Sequence, residues 1–212
     1  MTVIDLTHVI TENMPVYPGM ETPRLEPAST YEKDFFRETR MTMYTHTGTH
    51  VDAPAHIFAG RTSLDRFPPE QFIGKALVID CRASGEGGVI TMDHLQKYGE
   101  TANEVDFLLF NTGWDACWGS DSYFGNYPCI GMDVVDHILA GSYRGIGVDT
   151  ISIDPMNSLE RHRKLLREKD ILIVENLKGL HLCGNSPVSF SCFPLNLADA
   201  DGSPVRAVAW FD

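Results

Sequence analysis

Apolar and polar positions along the chain follow the periods of many short strands and a few helices. Short apolar or alternating runs predict strands at Val3–Thr7, Arg37–His46, Ala76–Cys81, Val105–Asn111, Gly145–Asp149, Ile171–Glu175, Pro187–Leu195 and Val205–Phe211. Apolar residues three and four apart predict helices at Thr91–Tyr98, Met132–Ala140 and Leu159–Lys169, with Thr91 and Ser158 as N-caps. Alternation of strand and helix in the middle, flanked by β-rich ends, predicts an α/β fold with a mixed sheet. Residues 11–28 carry Pro15, Pro18, Pro23 and Pro27 and read as an irregular arm, because proline fixes φ and removes an N–H donor. No repeat or charge block divides the 212 residues, so the length predicts one domain over 1–212.

Composition removes several function classes. The chain is 43% hydrophobic and 22% charged, as expected of an ordinary folded protein. Its formal net charge of -12 opposes phosphate backbones and anionic membranes, so neither nucleic acid nor membrane is an expected partner. The longest apolar runs have the length of core strands, far short of a membrane span. The five cysteines are scattered and never spaced C-x-x-C, which predicts free thiols and a cytoplasmic location.

The chemistry concentrates in His46-Thr-Gly-Thr-His50-Val-Asp52-Ala-Pro-Ala-His56. His46, Gly48, His50, Asp52, Pro54 and His56 share one parity, so an extended chain sends them to one side. A helix is disfavoured by Gly48, three threonines and the restriction Pro54 places on Ala53. A straight strand from His46 to His56 would span about 33 Å, so the chain must bend for these side chains to converge, and Gly48 and Pro54 are the places to bend. Imidazole and carboxylate bind zinc, manganese or iron and leave positions open for water and substrate. Three of the eight histidines in phase with an aspartate are poorly explained as ordinary hydrogen-bonding side chains.

A second group is less decisive on spacing. His162 shares a helix face with Leu165 and Leu166, and Glu175 ends the apolar run Ile171–Val174. Burying either requires a partner, so they satisfy each other or a metal ion. Tyr17, Phe58, Trp114 and Phe193 are candidate wall residues for an aromatic pocket, Tyr17 and Phe58 being the substrate-binding candidates. Asp149 and Asp154 read as structural.

The His46–His56 segment resembles the H-x-G-T-H-x-D-x-P-x-H signature of the cyclase family, which includes bacterial kynurenine formamidases and isatin hydrolases. Further resemblance lies in Met14–Gly19, Gly147–Pro155, His162–Leu166, Ile173–Leu177 and Asp201–Ala207. The resemblance implies a swivelling β/β/α domain assembled as a homodimer or larger homo-oligomer. It implies that His46, His50 and Asp52 ligate one divalent ion (Zn or Mn), that Asp52, His162 and Glu175 ligate a second where two bind, and that His56 is the catalytic acid/base. It implies a hydrolase cleaving an amide-type C–N bond of a small molecule, an N-formyl arylamine or a cyclic amide or imide. The arm departs from the formamidase pattern, with Tyr17 in place of Trp and Met20-Glu-Thr-Pro after Gly19, so N-formylkynurenine is not assigned. The alternatives are a metal-dependent cyclase or dehydratase, or a non-catalytic metal-binding module.

Overall fold

Alternate side chains of the apolar runs enter two different cores, which explains why these runs lack a polar face. Leu77, Ile79, Leu108, Phe110, Ile146 and Ile173 face one core; Ala76, Val78, Phe107, Leu109, Leu172 and Val174 face the other. The computed structural model describes residues 1–211. Its strands are β1 (Thr2–Asp5), β2 (Arg24–Ser29), β3 (Glu38–Thr42), β4 (His50–Asp52), β5 (Ile73–Asp80), β6 (Val89–Ile90), β7 (Phe107–Asn111), β8 (Cys129–Ile130), β9 (Gly145–Val148), β10 (Leu172–Glu175), β11 (Val188–Ser191), β12 (Gly202–Pro204) and β13 (Val208–Phe211). The helices are α1 (Tyr31–Asp34), α2 (Met92–Gln96), α3 (Met132–Ala140) and α4 (Glu160–Glu168), joined by several short 3-10 turns.

Nine strands form one mixed sheet in the order β1-β13-β11-β5-β7-β9-β10-β4-β12. The middle four, β5, β7, β9 and β10, are parallel, and the outer pairings are antiparallel. This is the expected α/β architecture with a mixed sheet. Leu95 of α2, Val134, Val135 and Ile138 of α3, and Leu165 and Leu166 of α4 cover one face. Close packing around β9 requires its glycines: a Cβ on Gly147 would lie 2.6 Å from Leu177 Cδ1 and 2.7 Å from Leu109 Cδ2.

The segment 46–56 bends at the two expected places: Gly48 turns the chain at φ +65, His50–Asp52 forms β4, and Pro54 opens a 3-10 turn that carries His56. Two readings of the sequence need correction. The end of the 11–28 arm is not irregular, since Arg24–Ser29 pairs with β3 as a two-stranded ribbon. Such a ribbon tolerates Pro27 at its bulge, where a central strand would not. The N-cap of α4 is Leu159 and not Ser158, whose hydroxyl accepts the Glu160 N–H at 3.3 Å and holds the start of the helix only in part. Asp154 holds the next two donors, its carboxylate accepting the N–H groups of Arg161 at 2.9 Å and His162 at 3.0 Å.

Candidate active site

The site is assembled at one edge of the sheet by strand register. Pairing of β4 with β10 sets Asp52 opposite Ile173 and His50 opposite Glu175. On the other side of β4, β12 sets Gly202 opposite Asp52. Helix α4 delivers His162 from above, buried beside Leu165 and Leu166. The Gly48 turn swings His46 back over the strand, and the Pro54 turn does the same for His56 from the other end. Their rings approach to 4.0 Å between centroids. Asn176, itself at φ +58, fixes the first turn by donating from Nδ2 to the Gly48 carbonyl at 2.9 Å, while its Oδ1 accepts the Tyr123 hydroxyl at 2.5 Å.

Asp52 is the hub. Its Oδ1 lies 2.7 Å from Nδ1 of His46 and 3.3 Å from Nε2 of His50, and its Oδ2 lies 3.4 Å from Nε2 of His162. Glu175 stands 3.6 Å from His50 Nε2 and 3.3 Å from His162 Nε2. Among the described residues, these two buried carboxylates have imidazoles for ionic partners and no lysine or arginine. Potential ligand atoms of His46, Asp52 and His56 fall within 4.8 Å of one another, as do those of His50, Asp52 and Glu175. This grouping differs from the expected one, which put His50 with His46 in the first set and left His56 outside both.

Electrostatics follow from this crowding. Burial works against charge on His46, yet Asp52 and Asp201 outweigh it and hold the imidazole up at about 9. Burial likewise opposes a charged His162, while Asp154, Asp52 and Glu175 hold it well above its ordinary value. Asp52 is held well below the carboxylate range by His46, His50 and His162, despite complete burial. His56 is the exception: burial lowers it from 6.5, and the neighbouring charges do not reverse the shift.

The donor set suits a divalent cation. All donors are nitrogen or oxygen, and the second nitrogen of each candidate ligand histidine already meets an acceptor. His50 Nδ1 is 2.8 Å from the Gly48 carbonyl, His162 Nδ1 is 2.8 Å from Asp154 Oδ2, and His46 Nε2 is 2.9 Å from Asp201 Oδ2. Outer acceptors of this kind fix the tautomer and ring orientation of metal-binding histidines.

A cavity of about 1090 Å³ opens over this cluster, its outer wall formed by Tyr17, Met20, Tyr44, Ile151 and Leu159. Tyr17 is thus where the sequence reading expected it. Phe58 lies off this cavity; it packs against the helix-side core, with the Arg167 guanidinium 5.3 Å above its ring. Trp114 and Phe193 also lie away from the cavity. Asp149 is structural: its buried carboxylate accepts N–H groups from Thr112 at 2.9 Å and Gly113 at 2.7 Å. Sequence reasoning missed Asp201 and the role of Asp154, whose partners lie in other segments. Their only signal was membership in the Asp201–Ala207 and Gly147–Pro155 stretches.

A mixed sheet with a buried His/Asp/Glu cluster under an open cavity has the donor set of a divalent-metal site. The family model described as "Putative cyclase" matches residues 4–155. A kynurenine formamidase from Bordetella avium (strain 197N) is 33% identical over 218 residues, covering 96% of this chain and 95% of that one. The solved isatin hydrolase A from Ralstonia solanacearum aligns over 98% of this chain and 91% of its own at a TM-score of 0.84 and 25% identity. A structure described as a potential metal-dependent hydrolase with cyclase activity aligns over 98% of this chain and 96% of its own, at a TM-score of 0.79 and 25% identity. The chain belongs to the cyclase family, and it is an enzyme.

Proposed function

We propose that the chain hydrolyses an amide-type C–N bond of a small molecule: an N-formyl arylamine or a cyclic amide or imide. The observation that carries this reading is the convergence of Asp52, Glu175 and four imidazoles on the floor of an apolar-walled cavity. The relatives named above support the bond type, one being a formamidase and another the hydrolase of a cyclic amide.

His46, His50, Asp52, His162 and Glu175 would hold one or two zinc or manganese ions. When bound, a divalent cation polarises the scissile carbonyl and makes water a stronger acid. The chain's own residues do the rest. Tyr17, Tyr44, Met20 and Leu159 bury the aryl part of the substrate and exclude bulk water. His56, held below its ordinary basicity by burial, accepts the proton of the attacking water. It then donates that proton to the leaving nitrogen as the C–N bond breaks, which gives an amine and formate from an N-formyl arylamine, or a single ring-opened acid from a cyclic amide or imide. A ligand atom of His56 also lies within 4.8 Å of those of His46 and Asp52, so loss of bound metal in a His56→Ala variant would make it a ligand in place of the proton-transfer group.

Five cysteines without a disulfide support a cytoplasmic location. A homodimer or larger homo-oligomer is supported by the exposed α1–β3 segment, where Phe35 is 91% and Tyr31 65% exposed. Among the described residues no helix is long and apolar enough to cross a membrane.

Product analysis tests the reaction. Zinc- and manganese-loaded protein is offered N-formyl arylamines, isatin and cyclic imides. Formate plus free amine, or a ring-opened acid, supports hydrolysis. A dehydrated or cyclised product from an open-chain substrate supports the cyclase alternative instead.

A further inference from the structure

Asp201 belongs to neither ligand set, yet two site imidazoles share it. Its Oδ2 lies 2.9 Å from Nε2 of His46 and 3.7 Å from Nδ1 of His56, and its Oδ1 accepts the Thr45 hydroxyl at 3.1 Å. The backbone of Asp201 is anchored beside the edge strand β12. The Asp201 carbonyl accepts the N–H of Ala53 at 2.9 Å, and the next residue, Gly202, pairs with Asp52. Asp201 is therefore placed by the ladder that places Asp52. Gly202 completes the arrangement: a Cβ there would lie 2.4 Å from Cε1 of His46, so the ring stands in the space of the missing side chain.

Which nitrogen an outer acceptor occupies decides which one faces the cluster. Gly48 and Asp154 each hold Nδ1, of His50 and His162, so those rings present Nε2. Asp201 holds Nε2 of His46, so this ring alone of the three presents Nδ1, 2.7 Å from Asp52. We propose that Asp201 is a positioning residue that makes His46 ligate through Nδ1, while its Oδ2 stands 3.7 Å from His56 Nδ1, beyond hydrogen-bond reach. The proposal rests on the roles given above to His46 and His56. It adds that one outer carboxylate decides which nitrogen of His46 faces the cluster.

Two readouts separate this from a merely structural role, and neither depends on knowing the substrate. In the zinc-loaded full-length chain, long-range ¹⁵N–¹H imidazole spectra report the metallated nitrogen of each ring: Nδ1 for His46, Nε2 for His50 and His162. Metallation of His46 at Nε2 overturns the proposal. Zinc and manganese affinities are measured by competition with a chromophoric chelator. Asp201→Ala is expected to weaken them about 10–100-fold, the usual range for an outer acceptor. Asp201→Asn keeps an acceptor oxygen and retains most of the affinity. If Asn loses the metal as fully as Ala, Asp201 is itself a ligand; if Ala loses none, it positions nothing. Either result overturns the proposal. Should Asp201→Ala fail to fold, the Asn variant and the wild-type spectra still decide. Failure of the hydrolytic reading leaves a different trace, namely metallation as described with no turnover.

Discussion

Asp154 grips His162 twice: its Oδ2 lies 2.8 Å from the ring Nδ1 and accepts the backbone N–H of the same residue at 3.0 Å. One buried carboxylate thus starts α4 and orients the ligand that α4 carries. Asp154→Ala should cost on the order of 2–4 kcal/mol in stability, because it leaves buried donors unpaired. It should also weaken metal binding about 10–100-fold by freeing the His162 ring. Denaturant unfolding and chelator competition on one sample read both effects, and a loss of stability without a loss of affinity would contradict the link.

The same carboxylate sets an acid limit on the metal-free protein. Burial opposes its charge, but His162 and the Arg161 N–H outweigh burial and hold Asp154 at about 2, against an ordinary 3.8. A depressed carboxyl stabilises the fold above its unfolded value and loses that contribution as pH falls through the folded one. Stability should therefore fall by roughly 2 kcal/mol between pH 4 and pH 2 through this group alone. Unfolding curves across that window should be flatter in Asp154→Asn; equal slopes would remove Asp154 from the acid transition.

Gly202 and Gly147 separate packing at the site from packing in the core. A side chain at Gly202 meets the His46 ring, whereas one at Gly147 meets Leu177 and Leu109. Gly202→Ala should lower metal affinity more than stability. Gly147→Ala should cost about 1–3 kcal/mol by overpacking and, where folded, bind metal normally. Thermal melts with and without zinc distinguish them, and the reverse pattern would place His46 outside the ligand set.

Metal binding should release protons. Asp52 and Asp201, opposed by burial, hold His46 at about 9, so below that pH its Nδ1 is protonated in the metal-free chain and must lose the proton to ligate. Affinity for zinc should rise with pH up to about 9. Calorimetry at pH 7.5 in buffers of different ionisation enthalpy counts the protons, His162 contributing as well as His46, and a count of zero would show that neither is a ligand.

Much of this was legible in the chain. The buried parallel strands were visible as unbroken apolar runs, and α3 was predicted end to end at Met132–Ala140. The two bend points of the site segment, Gly48 and Pro54, were legible because glycine and proline act locally. What was hidden depended on distant partners. Asp201 reaches His46 across 155 positions, and Asp154 gains its meaning from the N-terminus of α4. The regrouping of His56 with His46 comes from two turns folding over one short strand, which side-chain parity along an extended chain does not reveal.

His56 and the metal carry the central claim, and one experiment addresses both. Bound metal and turnover are measured together in wild type and His56→Ala, starting from metal-free protein and adding zinc or manganese stepwise. Turnover in the wild type should be absent without metal and rise in proportion to metal bound. His56→Ala should bind nearly the same metal while kcat falls about 10²–10⁴-fold. Turnover by metal-free protein, or unchanged kcat in the variant, would contradict the account.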